Sequence, residues 1–499
     1  MAGSNGSNVD AERTDVLIIG AGISGLGAAY RIREKNPDVT YTILERRPRL
    51  GGTWDLFQYP GIRSDSDIFT LSFPWEPWTR KEMIADGEHI WQYLADTARK
   101  HGIDNHIRFN TMVQSAEWDW STDSWTIHAD QDGVAKVFTA RFVVFASGYY
   151  DYDKPYVPDF PGIEDFAGEV IHPQHWPRGF DYRGKRVVVI GSGATAVSMI
   201  PALTEDAAHV TMLQRTPSYM FSVSPVMPAI NAIRRMLPPR AGHWVARWLL
   251  ALFGSLIWLV ARTAPGLSKR LLRRIASRTL PDADIDTHFT PPYNPWDQRL
   301  CFILDSDLYK AVAAGDVEMV TDHIDHFDGD GIVLASGRRL DADVVVTATG
   351  LQLRALGGIT VSVGGEKVAP NERFIYRRYM LDDVPNAAWS LGYTNASWTL
   401  GADLTARSVA DLLAFMRSHG YTHAYPHLGN TVMSEQPAFN LQAGYVQRGA
   451  DALPRSGTRR PWKLTHSYLG DVLIHRFGSS DNSMVFGRAG APALESAGR

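Results

Sequence analysis

Residues 15–34 read DVLIIGAGISGLGAAYRIRE. A short apolar run ends at Gly20, then Gly22 and Gly25 complete the spacing G-x-G-x-x-G, and the small and apolar residues that follow fit a helix packed on a sheet. In such a turn the first glycine allows the tight bend, the second lets backbone approach a pyrophosphate, and the third lets the helix close on the strand. The helix N-terminus then faces the negative charge. Tyr41 to Glu45, YTILE, reads as the next strand, and its terminal carboxylate stands where it can accept hydrogen bonds from ribose hydroxyls. Without a ligand the same pattern would be only a tight strand-to-helix turn; strand, glycines, helix and acid in this order favour a dinucleotide.

The order returns once. RVVVIG (Arg186 to Gly191) leads into Ser192, Gly193, Ala194, Thr195 and Ala196, a helical ATAVSMIPAL, and a second strand HVTMLQR (His209 to Arg215). This copy closes on Gln214, Arg215 and Thr216 instead of an acid. A carboxylate there would repel a 2′-phosphate, whereas an Arg fork and a hydroxyl would bind it, so the second nucleotide is expected to be NADPH. Two sites imply a relay, with FAD held by the acid-terminated first unit and reduced from the second. Flavoproteins of this plan pass electrons to a disulfide or react with oxygen, and the single cysteine, Cys301, removes the first route. The expected fold class is therefore α/β, with two Rossmann-like dinucleotide-binding domains and a mostly helical insert.

The chain has 499 residues, more than one hydrophobic core usually serves. Pro and Gly cluster at DYDKPYVPDFPG (Asp151 to Gly162), which reads as a linker. The expected organisation is a loose leader over 1–13, the first part of the FAD unit over 14–150, the first part of the NADPH unit over 151–217, a helical basic insert over 218–297, the second part of the NADPH unit over 298–340, the returning FAD unit over 341–490, and a tail over 491–499. The start, MAGSNGSNVDAERTD, lacks the basic and apolar regions of a secretory signal, and one cysteine suits a reducing compartment, so a cytoplasmic chain is expected.

Between the fingerprints, FAGEVIHPQHWP places Phe166, Gly168, His172, Trp176 and Pro177 at the spacing F-x-G-x-x-x-H-x-x-x-W-P. Upstream, GGTWDLFQYPGIRSD supplies Gly51, Gly52, Trp54, Tyr59, Pro60, Gly61 and Asp65. Both stretches resemble the signatures of the type I Baeyer–Villiger monooxygenases, and YPGIRSDSD, GSGATAV, NPWDQRLC and GYTNASWTL are similar to the subgroup that activates thioamide prodrugs such as ethionamide. The resemblance runs over about residues 14–490. It implies that NADPH reduces FAD, that O₂ gives a C4a-peroxyflavin, and that oxygen is inserted beside a ketone carbonyl to yield an ester or lactone, with oxidation of sulfides or thioamides as a further activity.

By the same resemblance Arg299 stabilises the peroxyflavin and its adduct, and Asp65 orients Arg299 and the nicotinamide. Ser24, Thr53, Trp54 and Val113 are implied to line the FAD site, and Arg63 and Ser64 to border the nicotinamide. Phe166, Gly168, His172, Trp176 and Pro177 are implied to be linker residues, and His172 is read as structural. The sequence departs from the pattern at Gln298, where many members carry a Lys that helps bind the 2′-phosphate, so NADPH preference rests on Arg215 and Thr216. No metal and no nucleic acid is expected. The competing readings are a flavin monooxygenase confined to nitrogen and sulfur nucleophiles, and a noncatalytic flavin redox sensor.

Charge is segregated. From Ala207 to Pro281 there is no Asp or Glu but eleven Arg and Lys, leaving 39 basic against 54 acidic residues elsewhere. Within this block Trp248 to Ala261 is a 14-residue apolar run, followed by Lys269, Arg270, Arg273, Arg274 and Arg278. Residues 248–278 could therefore lie on an anionic membrane, or form a buried helix with solvated arginines. As an alternative, the aromatics of this block and Trp296, Trp389 and Trp398 could wall an apolar substrate pocket.

Overall fold

A computed structural model describes residues 11–429, 431–439, 443–477 and 482–489. The expected tail and most of the expected leader lie outside these residues, and the leader ends earlier than expected, because the first strand already begins at Glu12.

That strand, Glu12–Ile19, runs parallel to Tyr41–Leu44 on one side and to Val134–Phe145 on the other. Its side chains alternate between two cores, as a pleated strand requires. Val16 and Ile18 pack with Leu26, Ala29 and Ile32 of the helix Ile23–Lys35, while Leu17 and Ile19 pack with Trp125 and Phe138 beneath. The helix Trp398–His419 lies against Ile23–Lys35, and the buried Arg31 donates to Asp403 at 2.8 Å across the contact. The long strand Val134–Phe145 joins two halves of one sheet. Its start pairs antiparallel with Ser124–Gln131, and its end pairs parallel with Glu12–Ile19 and Ala387–Trp389.

The second sheet has five parallel strands in the spatial order Val317–Thr321, His209–Gln214, Arg186–Ile190, Val344–Thr347 and Glu169–Ile171. Here one expected boundary is corrected. Val344–Thr347, assigned above to the returning FAD unit, pairs with Arg186–Ile190 and belongs to the second sheet. Val344, Val345 and Val346 are fully buried, as a central parallel strand covered on both faces demands. The chain therefore returns to the first unit after Gly350.

The insert opens and closes on a two-stranded parallel ribbon, Met220–Val223 with Cys301–Leu304. Between them lie the helices Pro228–Met236, Pro239–Thr263, Pro265–Thr279 and Ile285–Phe289, the first three begun by a proline whose missing N–H costs nothing at that position. The 25-residue helix is anchored to the first unit by buried polar groups. Arg247 donates to the carbonyls of Phe69, Thr70 and Ser72 at 3.1, 2.8 and 2.7 Å, capping the short helix Ile68–Leu71, and His243 donates to Phe73 at 3.1 Å.

Burial, aided by the neighbouring Arg247, holds His243 down at about 4, below its ordinary 6.5. A histidine whose folded pKa is depressed adds its full stability above 6.5 and loses it progressively as pH falls towards 4. We expect the stability gap between the wild type and His243→Gln to shrink between pH 7.5 and pH 5, measured by chemical denaturation. A gap independent of pH would refute the buried neutral imidazole.

Candidate active site

Both glycine turns open on one cavity of about 980 Å³. From the first unit Gly20, Gly22, Ser24, Glu45, Thr53, Trp54 and Val113 line it; from the second, Gly191, Ser192, Gly193, Ala194, Thr195, Arg215 and Thr216. Gly25 and Ala196 lie one layer down and shape the turns from beneath: a Cβ on Gly25 would fall 1.9 Å from the Gly20 carbonyl oxygen, and Ala196 is fully buried.

Glu45, expected to accept from a ribose, is engaged within the protein. One carboxylate oxygen accepts the Ala21 N–H at 2.7 Å, the other that of Arg47 at 2.9 Å, so the acid also holds the glycine turn. Burial pushes its pKa up, and these two N–H groups pull against it. In the second unit the Ser192 hydroxyl donates to the Thr216 carbonyl at 2.9 Å, fixing the segment that carries Arg215.

Arg299 stands two residues before the strand Cys301–Leu304, whose first N–H bonds the Tyr219 carbonyl at 2.9 Å. Its guanidinium meets Asp65 at 3.0 Å, and both residues line the cavity. Burial acts to lower the Arg299 pKa, but Asp65 and the facing phenols outweigh it and carry it upward, so the side chain is a permanent cation. Asp65 reaches this place because the loop before it docks on the other unit. Gly61, at φ +76°, would place a Cβ 2.4 Å from the Ser198 carbonyl oxygen of the helix Ala194–Leu203, so only glycine allows the approach, and Tyr59 is buried beside it. Arg63 donates to Asp307 at 2.5 Å, and Ser64 holds the Ala85 N–H at 3.1 Å.

The H-x-x-x-W-P segment is structural in its contacts. Gly168 leaves room for the Phe166 ring, the strand Glu169–Ile171 edges the second sheet, and His172 bonds the Gly350 carbonyl at 3.2 Å while accepting the Gln174 N–H at 3.1 Å. Burial lowers His172 to about 4, so it is neutral and both ring nitrogens are in use. Trp176 packs edge-on against Phe180. Cys301 is buried, and burial pushes its thiol up to about 12, which leaves no thiolate near neutral pH.

Two expectations fail. Trp389 is 1% exposed inside the core beneath the first sheet, and Trp296 packs among Tyr219, Leu272 and Leu300; neither lines the cavity. Trp398 does, donating to the Ser24 hydroxyl at 2.8 Å and stacking on Tyr149 at 4.9 Å. The sequence reading missed Tyr149, Tyr150, Tyr445 and Arg448, all cavity residues. The first two hydroxyls are 3.1 Å apart, and burial raises all three phenols, so they face Arg299 as neutral groups. Tyr149 and Tyr150 directly follow the strand run RFVVFASG and had a local signal; Tyr445 and Arg448 had none. Outside the cavity, Asp382, Asp383 and His427 bring three possible metal-ligand atoms within 4.8 Å of one another, but His427 and the Leu428 N–H already occupy carboxylate oxygens at 2.6 and 2.8 Å.

Two sheets whose parallel strands deliver two glycine turns to one cavity define an oxidoreductase with paired dinucleotide sites. The model of the family described as pyridine nucleotide-disulphide oxidoreductase matches residues 17–235. The chain is 46% identical over 476 residues to the FAD-containing monooxygenase EthA of Mycolicibacterium smegmatis, across 95% of this chain and 97% of that protein. It is 40% identical over 460 residues to the probable FAD-binding monooxygenase AlmA of Acinetobacter baylyi, across 92% of each. The chain belongs to the FAD-containing monooxygenase family. Its fold is that of an oxidized steroid monooxygenase bound to NADP (TM-score 0.76, 22% identity, 95% of this chain and 100% of that one) and of an open cyclohexanone monooxygenase (TM-score 0.71, 22% identity, 84% and 90%).

Proposed function

We propose that this chain binds FAD through its first unit and NADPH through its second, and uses O₂ to insert one oxygen atom beside a ketone carbonyl, giving an ester or lactone, with sulfides and thioamides as further substrates. The residues fit both groups. The first turn leaves only backbone where a pyrophosphate would approach, and Ser147 Oγ and Arg63 Nη2, on cavity-lining residues, are buried without a hydrogen-bond partner. Gly20, Gly22, Ser24, Thr53, Trp54 and Val113 would hold FAD, with Gly25 and Glu45 shaping the turn; Gly191 to Ala196, Arg215 and Thr216 would hold NADPH. When bound, FAD would supply hydride acceptance from NADPH and activation of O₂, with one oxygen atom entering the product and the other leaving as water.

The observation that carries the reading is the Arg299–Asp65 pair, 3.0 Å apart in the cavity that both turns share. The guanidinium supplies fixed positive charge where negative oxygen develops, in a site whose other facing groups are neutral phenols. Asp65 holds the guanidinium in place through the ion pair. Support also comes from the names of the relatives above. The test is NADPH oxidation on a panel of ketones and a thioamide under ¹⁸O₂. One labelled atom in an ester is the expected result. Label only in sulfur products would favour the nitrogen and sulfur monooxygenase, and flavin reduction without any labelled product would favour the redox sensor.

A second proposal concerns location. The helix Pro239–Thr263 is long and apolar enough to cross a membrane, but His243, Ala246, Arg247 and Leu250 are buried against the first unit. Its other face exposes Leu249, Leu252, Phe253, Leu256 and Leu259 at helical spacing, next to Leu267 and Leu271 of Pro265–Thr279. An apolar stripe that size, flanked by Lys269, Arg270 and Arg274 in a stretch of sequence without Asp or Glu, suits the surface of an anionic bilayer rather than a span. The full chain should sediment with vesicles of anionic lipid and less with neutral ones, and Leu252→Glu/Leu256→Glu should abolish this. Equal binding to neither, or a dimer that Leu256→Glu dissolves, would overturn the membrane reading.

A further inference from the structure

Six arginines line the cavity, and their partners divide them. Arg299 pairs with Asp65, Arg63 with Asp307, Arg46 with Asp153, and Arg354 faces Asp151 and Asp153 at 3.5 and 3.6 Å. Among the described residues Arg215 and Arg448 make no ion pair with a carboxylate. Both open on the same cavity, and the charge of Arg215 is felt at Arg448. Arg215 follows the strand His209–Gln214, and Arg448 comes from the short helix Gly444–Gly449, far away in the chain. The Arg448 guanidinium lies over the Tyr156 ring at 3.3 Å, which holds it in place. Its pKa is drawn below the ordinary value by burial and, against the effect of Tyr156, by the charge of Arg215.

Two guanidinium groups that open on one cavity, neither paired with a carboxylate among the described residues, repel one another in the free protein, and a doubly charged anion between them reverses the sign of the interaction. The anion is set by position: the end of the second strand of a glycine-turn unit is where the adenosine ribose rests. We propose that Arg448 is a second recognition residue for the 2′-phosphate of NADPH, closing with Arg215 on the two sides of that group. This rests on the NADPH reading of the second unit, and it adds a residue from the C-terminal part of the chain to nicotinamide selection.

The purified holoenzyme tests it through steady-state kinetics with both nicotinamides. In Arg448→Ala the KM for NADPH should rise about tenfold or more, with kcat within about twofold and the KM for NADH unchanged. Inhibition by adenosine 2′,5′-bisphosphate should weaken in parallel, and that by 5′-AMP should not. Arg448→Lys should recover part of the loss, and flavin content should stay at the wild-type level in both variants. Equal shifts for NADPH and NADH, or none for NADPH, would overturn the proposal. Arg215→Ala separates the two levels. If it loses NADPH selectivity while Arg448→Ala does not, Arg448 alone is misassigned; if neither variant changes the NADPH to NADH ratio, the reading of the second unit fails.

Discussion

Arg299→Ala should still let NADPH bleach the flavin at close to the wild-type rate, yet form oxygenated product about 10³-fold more slowly, with the reducing equivalents released as hydrogen peroxide. The separation follows from where the group stands. Hydride transfer needs the two nucleotides in their turns, and those turns are built from backbone and from Glu45, Ser192 and Arg215, none of which depends on Arg299. Oxygen insertion needs a fixed cation beside a negative oxygen, and among the cavity arginines Arg299 is the one ringed by Tyr149, Tyr150 and Tyr445. A purely structural salt bridge is the competing account. The pair is partly open, with side chains 26% and 43% exposed, so its loss should change stability little, and the variant should remain folded and yellow. Stopped-flow decay of the flavin band, peroxide release and ester yield are the three readouts. Ester formation at an undiminished rate would remove Arg299 from the chemistry.

What the sequence displayed and what it hid divide along chain distance. The two glycine turns are local objects, each complete within about thirty residues, and strand, turn and helix therefore announce themselves in order. Arg299 and Asp65 are far apart in sequence and were paired through a resemblance; the structure supplies the cause, the Gly61 contact that brings one unit onto the helix of the other. Val344–Thr347 was given to the wrong sheet because an unbroken apolar run says that a strand is buried, not which neighbour it pairs with. The same blindness applied to the insert: Trp248 to Ala261 is apolar all round, so only packing reveals that Leu250 and Ala251 face in while Phe253 and Leu256 face out. Trp296 and Trp389 misled because a large aromatic serves a core as well as a cavity. Tyr445 and Arg448 arrive from a segment without motif or periodicity, and only the fold could place them.

Gly25→Ala should be severely damaging, since no described glycine leaves less room for a Cβ. The added Cβ would sit 1.9 Å from the Gly20 carbonyl oxygen and 3.1 Å from its carbon, so the helix Ile23–Lys35 would have to withdraw from the strand. The strand cannot yield instead, since Gly20, at φ +106°, is itself wedged so that its own Cβ would fall 2.7 Å from the Ala146 carbonyl oxygen. Withdrawal also breaks the packing of Leu26, Ala29 and Ile32 with Val16 and Ile18, and takes the helix N-terminus away from the pyrophosphate position. We expect a loss of about 3 kcal/mol in stability and a protein that purifies colourless and recovers little flavin on incubation with FAD. Gly193→Ala is the internal control: nothing lies within 4 Å of its Cβ position, and three residues on, the second turn already carries Ala196 where the first, three residues after Gly22, carries Gly25. That variant should fold normally and stay yellow, with only its use of NADPH impaired. If Gly25→Ala holds flavin with wild-type stability, the close helix-to-strand contact is not what builds the first nucleotide site.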